Sequence, residues 1–496
     1  VCSSDLISAQ TLSMDYTPVS KYRHVYCPGL KPEEIYQGFR VATTTGDQNY
    51  IKGNSKYFAF PAGGGGGPIL IRAHHTPGRM PSQLPLLTGH KGDLCDFDFN
   101  PFNDEQIISS SADLSVMLWQ FPEGGPKENI TEPILTLNGH HRKVTFVEFN
   151  PVANLIAVSA SADGTSKVWD CNLGDEVGTY DFKGLPQDLH WNYSGSLFCV
   201  STKDKMNRIF DPRENRVVGE WSPHDGTKCS KMAWLGDSPH VVTAGFNRTS
   251  QREYKLWDLR ALAKPLSHES LDQASGTLFP FFDTDTKILY LAGKGDGNIR
   301  YFEVKDSSLC PLSQYSSTVS ARGLCMLPKS ACNVNKCEIA VILKLTPRGD
   351  VEPLPFILPR KFEGYQPDVY PPTFAGVPAL SNEEWRCGEN KNPVLRSLEP
   401  GNPVLSTTEY HPIQIDATPA AQRAAAPVAR TPVAQSTQST QSATSAPQPQ
   451  PTMGYVPKQG KMTIEDVEQE LEMLAKRMEF LGQTLQELKK ENAKNM

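Results

Sequence analysis

Two stretches of this chain, LTGHKGDLCDFDFNPFNDEQIISSSADLSVMLWQ (87–120) and LNGHHRKVTFVEFNPVANLIAVSASADGTSKVWD (137–170), repeat one another. Each opens on Gly-His, runs through an apolar stretch to an Asn-Pro turn, then a second apolar stretch, a Ser-x-Asp turn and a third stretch ending in Trp. A unit of this length cannot bury its apolar faces alone, so repetition commits the chain to stacked copies of one small element. Within the unit, VTFVEF, LIAVSA and TSKVW carry the two-residue period of half-buried antiparallel strands.

Weaker copies follow: WNYSGSLFCVSTKDKMNRIFD (191–211), AWLGDSPHVVTAGFNRTSQREYKLWD (233–258) and FFDTDTKILYLAGKGDGNIRYFEV (281–304). The closing aromatics Trp119, Trp169, Phe210, Trp257 and Phe302 recur at the spacing of one four-stranded blade. KYFAFPAGGGGGPILIR (56–72) supplies a further blade upstream. KCEIAVILKL (336–345) with VEPLPFILPR (351–360) supplies another downstream. Five clear and two degenerate units predict an all-β fold, a seven-bladed β-propeller over 19–360, with YRHVYC (22–27) expected to complete the last blade. A closed ring leaves only short, protected strand edges.

The repeat resembles the WD repeat. That resemblance implies a buried chain of hydrogen bonds through the Gly-His histidine, a strand Ser, the turn Asp and the closing Trp. Here these are His90, Ser109, Asp113 and Trp119, then His140, Ser159, Asp163 and Trp169. Buried polar groups are tolerated when paired, so these histidines are expected to be structural.

Composition narrows the remaining possibilities. A net charge of -6 and a pI near 6.0 argue against a nucleic-acid partner, which needs a basic face. Eleven cysteines include no CxxC pair, so no metal site is expected. No apolar run is long enough for a transmembrane segment. The chain has no P-loop, G-x-G-x-x-G, HExxH or G-x-S-x-G; GKGDG (293–297) reads as a blade turn, and neither catalysis nor a cofactor is expected. Val1 to Leu6 look non-native, Met14 is the candidate start, and residues 1–18 are expected to form an N-terminal extension without fixed structure.

Beyond the ring, residues 361–405 are rich in Pro and aromatics without strand rhythm and are expected to pack on the propeller as a strap. Residues 406–460 are dominated by Ser, Thr, Gln, Ala and Pro and predict a disordered, flexible linker. In 461–496, Ile464, Val467, Leu471, Leu474, Met478, Leu481, Leu485 and Leu488 fall at alternating steps of three and four, the seam of an α-helical coiled coil. A lone amphipathic helix folding back on the propeller is the alternative.

The whole chain resembles the coronins of the short type, with one propeller and one coiled coil. The words that carry the resemblance are SKYRHVYC (20–27), STKDKMNRIFDPR (201–213), FPFFDTDTKILYLAGKGDGNIRYFE (279–303), VNKCEIAVILKL (334–345) and LPRKFEGYQPDVYPPT (358–373). The resemblance implies a cytoplasmic regulator of the actin cytoskeleton that binds F-actin through the propeller. It further implies that the coiled coil forms a homo-oligomer and engages the actin-related nucleation complex. The family's filament-binding arginine maps to Arg40 in YQGFR (36–40), with Lys21, Arg23, Lys31 and Lys52 as further candidates. The bland alternative has Arg40 satisfying carbonyls at a strand end. A general WD-repeat scaffold without actin binding is the competing reading of the whole protein. The family's trimer-specifying pattern is met by Arg477, Met478 and Leu481, but Gly482 stands where a Glu is expected; a trimer is favoured over a dimer.

Overall fold

The computed structural model describes residues 20–418 apart from 44, 45, 306, 362 and 402. The expected linker beyond 418, the coiled-coil seam and Gly482 lie outside the described residues.

Seven antiparallel sheets carry the repeat units, and each begins with an inner strand. In chain order these inner strands are Lys52–Gly53, Leu94–Phe99, Val144–Phe149, Pro186–Trp191, Lys231–Trp234, Leu278–Asp283 and Gly323–Met326. Each packs against the next, and the last returns to the first, so the ring is closed. The blades are therefore sandwiched between neighbours, which changes what the strands bury. The second strands Gln106–Ser111, Ile156–Ser161 and Ile288–Gly293 are buried at every residue, although alternation had suggested a single buried face. Small and hydroxyl side chains in ISSS and SAS make that double burial possible, because Ser109, Ser110, Ser159 and Ser161 fit between closely stacked sheets.

Closure comes from the N-terminus. The seventh sheet takes Tyr36–Gln37 as its fourth strand, with Tyr36 opposite Val351, and Gly78–Arg79 adds a parallel edge. Of the YRHVYC segment expected to do this, Tyr26 alone bridges Ile357, through reciprocal backbone hydrogen bonds of 3.1 and 2.8 Å. Residues 21–24 form a turn instead, and Tyr22 and Val25 anchor it by packing into the core shared by the sixth and seventh blades.

The strap after residue 360 is more structured than its composition suggests. It contains a small sheet of Thr373–Phe374, Leu395–Arg396 and Leu405–Ser406 and a short helix, Asn382–Arg386. Ser381 caps that helix, accepting from the Glu384 N–H while Glu384 accepts from the Ser381 N–H at 2.7 Å. Packing also runs past the expected boundary at 405: Ile413 and Ile415 lie against the fifth-blade core, and the Asp416 N–H donates to Leu259 O at 2.7 Å. Among the described residues, no helix is long and apolar enough to cross a membrane.

The strap occupies one face of the disc. In a four-stranded antiparallel blade, the turns after the first strands lie on one face, and the turns after the second strands lie on the other. Leu380 bridges Ala153, Phe374 sits 6.1 Å from Phe102, and the Trp385 indole donates to Gly195 O. All three partners belong to first turns, and among the described residues no strap hydrogen bond reaches a second turn on the opposite face.

Candidate functional site: an exposed arginine face and a charged channel

Arg40 stands on the strap-free face. Phe39, just before it, is buried with its ring 5.0 Å from that of Phe60, and its N–H donates to Gly349 O at 3.0 Å. Gly349 belongs to the second turn of the seventh blade. Arg40 O accepts from the Gly63 N–H in the corresponding turn of the first blade. The backbone is thus pinned between two blades while the side chain is exposed. Among the described residues the guanidinium satisfies no carbonyl; the backbone makes the local bonds.

The other candidates do not gather around it. Lys21 is exposed, but its ammonium donates to Asp368 O of the strap and lies 5.0 Å from the Tyr22 ring. It belongs near the Ile357 end of the seventh blade, whereas Arg40 belongs near the Val351 end. A strand of that length separates the two by roughly 20 Å. Arg23 is exposed on the same turn as Lys21. Lys31 is exposed ahead of the short helical turn Pro32–Glu34, with its N–H bound to the Glu34 carboxylate.

Lys52 needs correction as a surface candidate. It lies on an inner strand, so its side chain faces the central channel and pairs with Asp96 at 3.1 Å. A residue there meets the neighbouring blades and cannot reach a flat partner.

The same face carries further exposed cations, of which Arg348 alone lies in the turn that abuts Phe39. Lys91, Arg142 and Lys143 lie on the loops entering the second and third blades, Lys183 and Lys203 follow around the fourth, and Arg348 sits in the turn beside Phe39. The Gly-His words hide this signal, since HKGD and HHRKV vary in charge at positions where the repeat fixes only Gly and His. Exposed Asp47, Asp93, Asp204 and Asp225 interrupt the run; Asp204 pairs with Arg208 at 2.5 Å and Asp225 with Arg248 at 3.3 Å.

The tetrad residues make a continuous buried chain. Trp169 Nε1–H donates to Ser159 Oγ (2.8 Å), Ser159 faces His140 Nε2 (2.8 Å), and His140 Nδ1 faces Asp163 Oδ2 (3.0 Å). The second blade repeats the same distances through Trp119, Ser109, His90 and Asp113. One assignment satisfies every atom: the indole donates to Ser, Ser to Nε2, and Nδ1–H to the carboxylate. Burial favours the neutral imidazole and outweighs Asp163, pulling His140 below its usual pKa. Asp163 is itself held down to about 2: burial is overcome by the His141 N–H, the Thr165 hydroxyl and His140.

The channel has a volume of about 620 Å³, and Thr373, Phe374, Pro393 and Leu395 of the strap contribute to its lining. Its polar groups join adjacent inner strands. Asp96, Asp98 and Asp188 accept the backbone N–H groups of Val147, Phe149 and Met232 from the next blade. Asp188 also pairs with buried Lys231 at 3.1 Å, and His190 lies between Asp188 and Glu148 at 3.4 and 3.1 Å. Burial disfavours the His190 imidazolium, but the two carboxylates outweigh it and push it up to about 10. Asp98 goes the other way: burial lifts it to about 7, opposed by Lys52 at 3.9 Å and reinforced by Glu148 and Asp96. These contacts lock blades together.

Comparisons agree with this architecture. Residues 17–79 match the family model "Domain of unknown function (DUF1899)", 81–120 and 131–170 match "WD domain, G-beta repeat", and 351–393 match "Type of WD40 repeat". The chain is 42% identical to Coronin-A of Dictyostelium discoideum over 399 residues, 79% of this chain and 89% of that protein. It is 36% identical to Coronin-2A of Homo sapiens over 78% of this chain and 75% of the relative. The crystal structure of the WD40 domain of Toxoplasma gondii coronin aligns with a TM-score of 0.74 at 34% identity, covering 76% of this chain and 98% of the other. With most of a relative's length matched at this identity, over a closed ring of seven blades and its N-terminal latch, the chain belongs to the coronin family.

Proposed function

We propose that this protein is a non-enzymatic actin-filament-binding regulator of the cytoskeleton that meets the filament with the Arg40 face of its propeller. Family membership supports the actin reading, and the observation that carries the choice of face is the exposed, backbone-pinned Arg40 with Arg348 in the abutting turn. Actin filaments are acidic, and an arginine fork pairs with carboxylates in a fixed geometry. The opposite face is taken by the strap. Lys21 and Arg23 lie on the strap side and are assigned a lesser part.

The heptad seam from Ile464 to Leu488 is proposed to assemble the chains, as a trimer rather than a dimer, and to present the C-terminal end to the actin-related nucleation complex. Cytoplasmic residence on actin structures follows from the same reading. Co-sedimentation of the full chain with filaments at low salt tests it: wild type pellets with the filaments, and Arg40→Asp, folded by circular dichroism, stays in the supernatant. An Arg40→Asp protein that pellets as wild type does would remove Arg40 from the contact.

A further inference from the structure

Arg348 stands beside Arg40 for a reason visible in the backbone. The turn Thr346–Asp350 is closed by Thr346 N–H to Asp350 O (2.8 Å), Gly349 N–H to Thr346 O (3.1 Å) and Asp350 N–H to the Thr346 hydroxyl (3.1 Å). Gly349 adopts φ +82°, and a Cβ there would come within 2.1 Å of Phe39 O. Glycine thus lets the turn touch the chain at Phe39, and Phe39 is in turn held by the rings of Phe58 and Phe60. One residue before that contact on one strand is Arg348; one residue after it on the other is Arg40.

Both side chains are exposed, and among the described residues neither makes an ion pair or a side-chain hydrogen bond. The nearest carboxylate in the turn, Asp350, is occupied by the Gly38 N–H at 3.3 Å. Two guanidiniums without ion-pair partners thus stand on abutting backbones. A partner supplying carboxylates to both would find that backbone already ordered.

We infer that Arg348 and Arg40 form one two-pronged contact that takes a pair of carboxylates on an acidic protein surface. The inference rests on the filament reading above, with actin as that surface. Arg348 is then a filament-binding residue in its own right, and the glycine at 349 is what sets the spacing between the prongs.

Full-chain wild type, Arg348→Ala, Arg348→Glu and Arg40→Ala are titrated against filaments by co-sedimentation, with Lys361→Glu on the strap side as a control. Thermal unfolding checks that each variant is folded. Each alanine variant should weaken binding about fivefold, the effect of losing roughly 1 kcal/mol of exposed charge pairing. Arg348→Glu should weaken it further, and its salt dependence should be shallower than that of wild type. Lys361→Glu should bind as wild type. If Arg348→Glu binds as tightly as wild type while Arg40→Ala is weakened, Arg348 is not a prong and the inference is overturned, with the filament reading intact. Wild type that fails to pellet with filaments overturns the filament reading and this inference together.

Discussion

Trp385 of the strap meets Trp191 of the fourth blade edge to face, with ring centroids 5.9 Å apart and planes at 88°, and its indole N–H donates to Gly195 O at 2.8 Å. Trp385 is fully buried, and the Arg213 guanidinium lies 5.5 Å from its ring. The strap is therefore bolted into a blade at this point. Trp385→Ala should cost about 3–5 kcal/mol, the range for deleting a buried Trp or Phe. Denaturant unfolding followed by tryptophan fluorescence measures it, and a loss under 1 kcal/mol would mean that the strap is held mainly elsewhere.

Ser159 receives the Trp169 indole and faces His140, so one hydroxyl serves two buried partners. Ser159→Ala leaves an indole N–H and an imidazole nitrogen unpaired in a site with no exposure at residue 159. Each orphaned group costs about 1–3 kcal/mol, so the variant should lose roughly 2–4 kcal/mol, since relaxation recovers part of the sum. The fourth blade offers a comparison, because Phe210 replaces the Trp, Val200 stands where the tetrad serine would, and its buried neighbour Ser201 serves no such chain among the described residues. Ser201→Ala should cost clearly less in the same unfolding experiment.

Those two positions also show what a single sequence can yield. The second and third blades were legible because His, Ser, Asp and Trp recur at fixed places, and hydrogen bonding demands those residue types. The latch was harder, since Tyr36–Gln37 is two residues long and its partner Val351 lies more than 300 positions away. Local pattern carries no information about such pairing. Lys52 was misplaced for a related reason: nothing in IKGNSKYF marks the lysine as inner-strand until the ring closes around it. The helix at Asn382–Arg386 did carry a signal, the Ser381 and Glu384 of a capping box, but proline-rich surroundings masked it. Arg348 escaped notice because turn residues look interchangeable, and only the abutment of Gly349 on Phe39 gives it a neighbour.

Asp98 supplies a pH-dependent test. Its folded pKa of about 7 exceeds the roughly 3.9 of an unfolded aspartate, so the folded protein binds more protons between those values. Stability therefore falls as pH rises from about 4 to about 7 through this group, then levels off. Asp98→Asn removes that loss while keeping an oxygen to accept the Phe149 N–H now bound at 3.0 Å. The variant should melt higher than wild type at pH 8, with the gap shrinking toward pH 5. An equal gap at both pH values would show that the carboxylate titrates normally and that the substitution acts through packing.

In the proposed coiled coil, Gly482 follows Leu481 at the edge of the heptad seam, where the resemblance to the family pattern implies a Glu to pair with Arg477 of a neighbouring helix. Glycine within a helix costs about 1 kcal/mol relative to Ala in each chain, and the missing carboxylate leaves Arg477 without its partner. The seam itself is untouched, since the position flanks the apolar rows. On that proposal, Gly482→Glu should raise the melting temperature of the full chain's helical transition and shift sedimentation toward three chains, with little change in the unfolding of the propeller. A helical transition unmoved by the substitution would place position 482 outside the assembled register, and the seam would then have to be drawn on a different set of residues.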